Sequence, residues 1–123
     1  MRSPYLLPLL APLCVLAQSV KPTEFPADST PVTGEALHAR LSGKVFAVKP
    51  ADGSTWRLEY RANGYLFVET SGGFKDTGTW RVEGEQVCGT WQKSGRSCSE
   101  FRLKDDSLLA KRASGEVIKL VAE

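Results

Sequence analysis

From Lys44 to the C-terminus, apolar side chains recur at every second position in short runs, and a turn signal breaks the chain about every 8–12 residues. Period two is the spacing of one face of a strand. Runs this short, bounded by Gly, Asn, Asp and Ser, leave little room for any fold but an antiparallel one. Ser54–Arg61 shows the pattern most plainly. Trp56, Leu58 and Tyr60 fall on one face, and Thr55, Arg57, Glu59 and Arg61 on the other. Similar runs predict about eight strands, at 44–49, 54–61, 65–70, 77–82, 86–92, 97–103, 108–112 and 116–121.

The turn at Ala62-Asn63-Gly64 fixes a register. A two-residue loop would pair Tyr60 with Phe67 and turn Leu66 and Val68 outward. A three-residue loop with Gly64 left-handed pairs Tyr60 with Leu66 and Leu58 with Val68, which gathers the apolar residues on one face. Burial selects the second register and predicts positive φ at Gly64. Further on, Trp80 and Val82 share a face, as do Val87, Gly89 and Trp91. The turn at Glu83-Gly84-Glu85 fits two registers equally well.

A chain of 123 residues, 41% hydrophobic and 24% charged, has the composition of a single globular domain. Successive hairpins in so small a domain expose two sheet edges unless the sheet closes. The expected fold is therefore all-β: a small antiparallel up-and-down barrel or strongly curved sheet with one short N-terminal helix. A two-sheet sandwich is the alternative. The helix is expected at 34–41, with Thr33 as N-cap, Leu37 and Leu41 four apart on one face, and Ser42-Gly43 as its stop. Its place is at one end of the core.

Before the helix the chain changes character. Arg2 precedes an apolar run from Tyr5 to Ala17, broken by Pro8 and Pro12. That run is shorter than the roughly 20 residues a membrane-spanning helix needs, and it suits a secretory signal. Val15 and Ala17 place cleavage between Ala17 and Gln18. Cys14 raises lipidation as an alternative. Leu13 and Ala11 stand where a lipoprotein signal wants a small residue and a leucine. Residues 18–32, with Pro22, Pro26 and Pro31, read as a flexible tether, and 33–123 as the β-domain. Periplasmic or secreted localisation follows, with no transmembrane segment after cleavage.

Export makes a disulfide the natural role for Cys88 and Cys98. A hairpin centred on Lys93 places them directly opposite. Closing that loop contributes about 3 kcal/mol in the chain-entropy model. Their spacing is wrong for a zinc site or a thioredoxin-type pair.

Catalytic chemistry finds little footing. His38 is the one imidazole, which rules out a multi-histidine metal site or a His–His acid/base pair, and as the one base a nucleophilic triad could use it is expected instead to face solvent or cap the helix. Glu59 and Glu69 lie near Arg57, which keeps them ionised, and they read as a cross-strand charge ladder. Asp105-Asp106 reads as a turn with too few oxygen ligands for a calcium loop. The net charge of +2, without a basic cluster, argues against nucleic acid. The expectation is a protein with no catalytic residues, cofactor or metal.

Binding fits better. Arg57, Arg61, Tyr65 and Phe67 share the outer face of one hairpin, a candidate contact patch. Trp56, Trp80 and Trp91 are candidates for lining a cavity. The partner would be a protein or a small ligand. An inhibitor of a secreted hydrolase such as a lysozyme or protease is the alternative, with loops 71–76 and 93–97 as the segments to plug a cleft.

Several motifs recur together: Leu41 to Lys44 (LSGK), the Ala62-Asn63-Gly64 turn, Asp76 to Val82 (DTGTWRV), Cys88 to Trp91 (CGTW) and Cys98. In this combination, over about residues 34–120, the chain resembles uncharacterised small secreted proteobacterial β-domains with a G-T-W-x-V … C-x-x-W … C pattern. The resemblance implies export and a β-domain and carries no activity.

Overall fold

The computed structural model describes residues 21–123. The proposed signal, its cleavage point and Cys14 lie outside them. Among the described residues ten elements follow one another: β1 (Thr30–Pro31), α1 (Gly34–Leu41), β2 (Lys44–Val48), β3 (Trp56–Tyr60), β4 (Tyr65–Thr70), β5 (Lys75–Glu83), β6 (Gln86–Trp91), β7 (Gly95–Lys104), β8 (Ser107–Lys111) and β9 (Val117–Ala122).

Strands β2 to β9 each pair antiparallel with the next, and β9 returns to β2 through Phe46 opposite Ala122 and Ala47 opposite Val121. The result is a closed eight-stranded up-and-down barrel, which removes the free edges. The sandwich alternative is excluded. The β3–β4 register pairs Tyr60 with Leu66 and Leu58 with Val68, as burial requires, and Gly64 has φ +94°. The undecided turn resolves as Gly84-Glu85, with Glu83 opposite Gln86. Cys88 lies directly opposite Cys98 and is bonded to it, their Cα atoms 4.0 Å apart.

Antiparallel order sorts the connections between the two ends of the barrel. Turns 61–64, 84–85 and 105–106 lie at one end, where α1 enters β2; 49–55, 71–74, 92–94 and 112–116 lie at the other. The first end is plugged. Leu37 and Leu41 are fully buried in the core, Gly34 N–H donates to the Gly84 carbonyl at 3.1 Å, and Gly43 N–H donates to the Tyr60 carbonyl at 2.7 Å. A helix of eight residues is marginal alone, so these anchors hold it. Gly78, on β5, lets the wall curve tightly: a Cβ there would stand 2.2 Å from the Thr90 carbonyl oxygen.

One expectation does not hold. Residues 18–20 of the expected 18–32 tether lie outside the described residues, but 22–32 run as a strap across the outside of β7, β8 and β9. Val117 N–H donates to the Pro22 carbonyl at 2.8 Å, and Phe25 sits under Arg102 and Lys111, 5.7 and 5.4 Å from its ring. Arg102 binds the hydroxyl and carbonyl of Ser29, each at 2.9 Å. Thr30 and Pro31 then pair with Leu103 and Arg102 of β7. The strap accounts for Leu109 and Val117, apolar and buried although the strands turn Leu108, Ala110, Ile118 and Leu120 inward.

Candidate functional site

The end away from the helix is open. A cavity of about 270 Å³ enters the barrel there. Its walls are Leu58, Leu66, Val87 and Phe101, its mouth is flanked by Trp56 and Trp91, and Arg112, Ala113 and Ser114 form part of its rim. Small residues on β6 to β8 leave the space: Gly89, Ser97, Ser99 and Ala110 all line it. Strand alternation aims each of them inward, and none has the volume to meet the opposite wall.

The polar groups are few. Tyr60 lines the cavity and is buried, and desolvation pushes its phenol well above the usual tyrosine range, so it stays a neutral donor and acceptor. Ser97 and Ser99 add two hydroxyls from β7.

Among the described residues, Arg112 is the one cation on the lining. Its guanidinium carbon lies 4.5 Å from the centre of the Trp56 ring, a stacking that favours Arg over Lys. Its Nη1 donates to Glu116 Oε1 at 2.7 Å. The Glu116 side chain is only 5% exposed, and its other oxygen accepts from Ala51 N–H at 2.8 Å. Glu116 itself does not line the cavity. A buried carboxylate behind the rim thus ties the β8–β9 turn to the β2–β3 loop and fixes the arginine in front of it.

A second carboxylate organises the adjoining rim. Asp76 is buried; it accepts from Lys93 N–H at 3.1 Å and from the Ser94 N–H and hydroxyl at 3.1 and 3.0 Å. Burial raises its pKa, and these bonds together with one from Thr77 N–H outweigh that, holding the carboxyl below its ordinary value. The clamp ties β5 to the β6–β7 turn. Lys93 Nζ also reaches the Lys75 carbonyl at 2.7 Å and lies 5.6 Å from the ring of exposed Phe74.

The three tryptophans separate. Trp56 and Trp91 line the cavity. Trp80 does not; it sits toward the plugged end, its Nε1 donating to the Arg61 carbonyl at 2.9 Å. His38 stacks on it at 4.8 Å from the solvent side. On the outer face, Arg57, Arg61, Tyr65 and Phe67 do lie on one hairpin. Arg61 covers the Phe67 ring at 4.5 Å and pairs with Glu59 at 3.0 Å. Arg57 approaches Glu59 and Glu123 at 3.9 and 3.5 Å. Glu69 pairs with Lys75 at 3.3 Å rather than with Arg57 across the strands. Tyr65 is left 52% exposed. The patch therefore satisfies most of its own charge.

Among the described residues, no three His, Cys, Asp or Glu side chains cluster as metal ligands, and no helix is long and apolar enough to cross a membrane. Family models, curated proteins and solved structures offer no match to this chain. The family resemblance rests on its motifs alone. The Cys88–Cys98 bond is consistent with an oxidising, extracytoplasmic location.

Proposed function

We propose that this chain is an exported, non-enzymatic barrel, periplasmic or secreted, that binds a small and largely apolar molecule in its open end. The cavity carries the reading. Protein interiors are close-packed, and a small barrel is ordinarily filled by its own side chains or shaped around one ligand. Here four small residues keep about 270 Å³ open behind two indoles. An apolar wall with a few convergent polar groups is the usual character of a small-molecule site.

The lining chemistry favours binding over catalysis. Among the described residues no carboxylate, imidazole or thiol lines the cavity, and burial keeps the Tyr60 phenol protonated, which makes it a poor general base. The inhibitor reading asks for a protruding loop. Segments 71–76 and 93–97 instead contain tight turns cross-tied by Asp76, which favours the binding reading over the inhibitor one.

Titration with a neutral apolar fluorophore such as N-phenyl-1-naphthylamine tests the proposal. Saturable fluorescence enhancement, with quenching of tryptophan emission from the cavity mouth, is expected. A response that grows linearly without saturating, as with non-specific adsorption, would overturn it.

A further inference from the structure

The rim makes the ligand class more specific, and the argument rests on the cavity reading above. Arg112 lines the cavity while its partner Glu116 stands behind it. The two charges are not equivalent to a molecule inside the barrel. Glu116 is nearly fully buried, and its oxygens are engaged by Arg112 and by Ala51 N–H. Arg112 is 34% exposed at the side chain, and its bond to Glu116 is its only side-chain hydrogen bond among the described residues. A guanidinium carries five N–H donors in a planar fork, so donors remain for a ligand. Stacking on Trp56 holds that plane in place, and a pre-positioned fork suits a carboxylate.

We infer that the barrel takes an amphipathic acid: an apolar chain or ring inserted between the leucine and phenylalanine walls, with a single anionic head, most simply a carboxylate, left at the mouth against Arg112. Glu116 is a positioning residue, orienting the guanidinium without touching the ligand. Three alternatives for the head group are weaker on the same geometry. A cationic head would meet Arg112 directly. A neutral head gains hydrogen bonds without the charge assistance that strengthens them. A head group directed inward would meet the Tyr60, Ser97 and Ser99 hydroxyls and require an anion to lose its hydration deep in the barrel.

Octanoate, octanol and octylamine share one chain and differ in the head, so they separate these cases. Each is used to displace the neutral fluorophore from the full chain with its disulfide intact, at pH 7. The expected order is octanoate first, ahead of octanol by about tenfold, with octylamine last. In Arg112→Gln the octanoate affinity falls by about tenfold while octanol stays within about twofold. Equal displacement by octanoate and octanol from the wild-type protein overturns the inference and leaves the cavity reading standing. Saturable fluorophore binding absent altogether overturns the cavity reading first. The wild-type ranking needs no variant, so the inference stays falsifiable even if Arg112→Gln does not fold. A wild-type preference that persists undiminished in folded Arg112→Gln also overturns it, since the anion is then held elsewhere.

Discussion

Asp76, the first residue of the DTGTWRV motif, shows how much one side chain can organise. Its carboxylate is buried and held by donors from Thr77, Lys93 and Ser94. Those bonds favour the ionised form, so the folded-state pKa lies below the unfolded one. Protons then bind the unfolded chain more readily as the pH falls. The stabilisation is fully present above the ordinary carboxylate value of 3.8 and disappears as the pH drops through the lowered folded value. Asp28 and Asp52 are shifted in the same direction by Lys104 and Ser54, respectively, so wild-type acid lability is a sum. Asp76→Asn isolates one contribution. The variant is expected to melt at a lower temperature at pH 7 and to lose less stability between pH 5 and pH 2 than wild type, as thermal melts across that range would show. Parallel curves would mean Asp76 does not titrate differently in the two states. The sequence shows Asp76 beside a turn but gives no sign of its role, because its partners Lys93 and Ser94 are brought to it by a hairpin that first has to form.

Among elements, the β6–β7 hairpin is the one whose covalent and non-covalent contacts coincide. Its register places Cys88 opposite Cys98, and the same ladder runs from Gln86–Glu100 to Trp91–Gly95. The bond therefore restrains the unfolded chain without being needed to define the folded pairing. Cys88→Ala/Cys98→Ala is expected to lose about 3 kcal/mol, seen as a lower guanidinium midpoint than the oxidised protein, with the barrel's far-UV spectrum retained. An unchanged midpoint would place the stabilisation elsewhere. This hairpin was legible because its constraint is local: two cysteines equidistant from Lys93. The β3–β4 register was legible for a similar reason, since one slip would have sent Leu66 and Val68 into solvent. The strap was not. Three prolines and no periodicity describe a linker and a docked extended segment equally well. The signal lay elsewhere in the chain, in Leu108-Leu109-Ala110 and Val117-Ile118, where apolar residues on both faces indicate that something covers the outside of the barrel.

At the scale of the whole molecule, alternation tells which side chains enter a barrel but not how deep along its axis they lie. Trp56, Trp80 and Trp91 all read as inward. Only the stagger of successive pairings and the position of α1 assign Trp80 to the plugged end and the other two to the open one. The cavity is likewise a sum over strands: Gly89, Ser97, Ser99 and Ala110 are unremarked singly, and leave space only when closure sets them around one axis. That space has a thermodynamic signature. Residual cavities cost roughly 24 cal/mol per Å³ in cores that cannot collapse, so an empty site should be improvable by a larger side chain. Ala110 is buried, inward-facing and part of the lining. Ala110→Leu adds apolar volume into the opening and leaves Arg112, Glu116 and the two cysteines as they are in the sequence. If the space is a ligand site, the variant should keep or raise its melting temperature while its affinity for the neutral fluorophore falls by about tenfold, because the ligand and the new side chain compete for one volume. A core already filled would respond in the opposite way: overpacking costs about 1–3 kcal/mol, and the melting temperature would drop with it. Calorimetry and a fluorophore titration on the same sample distinguish the two outcomes, and a destabilised variant that still binds the probe with wild-type affinity would show that the probe sits outside the barrel.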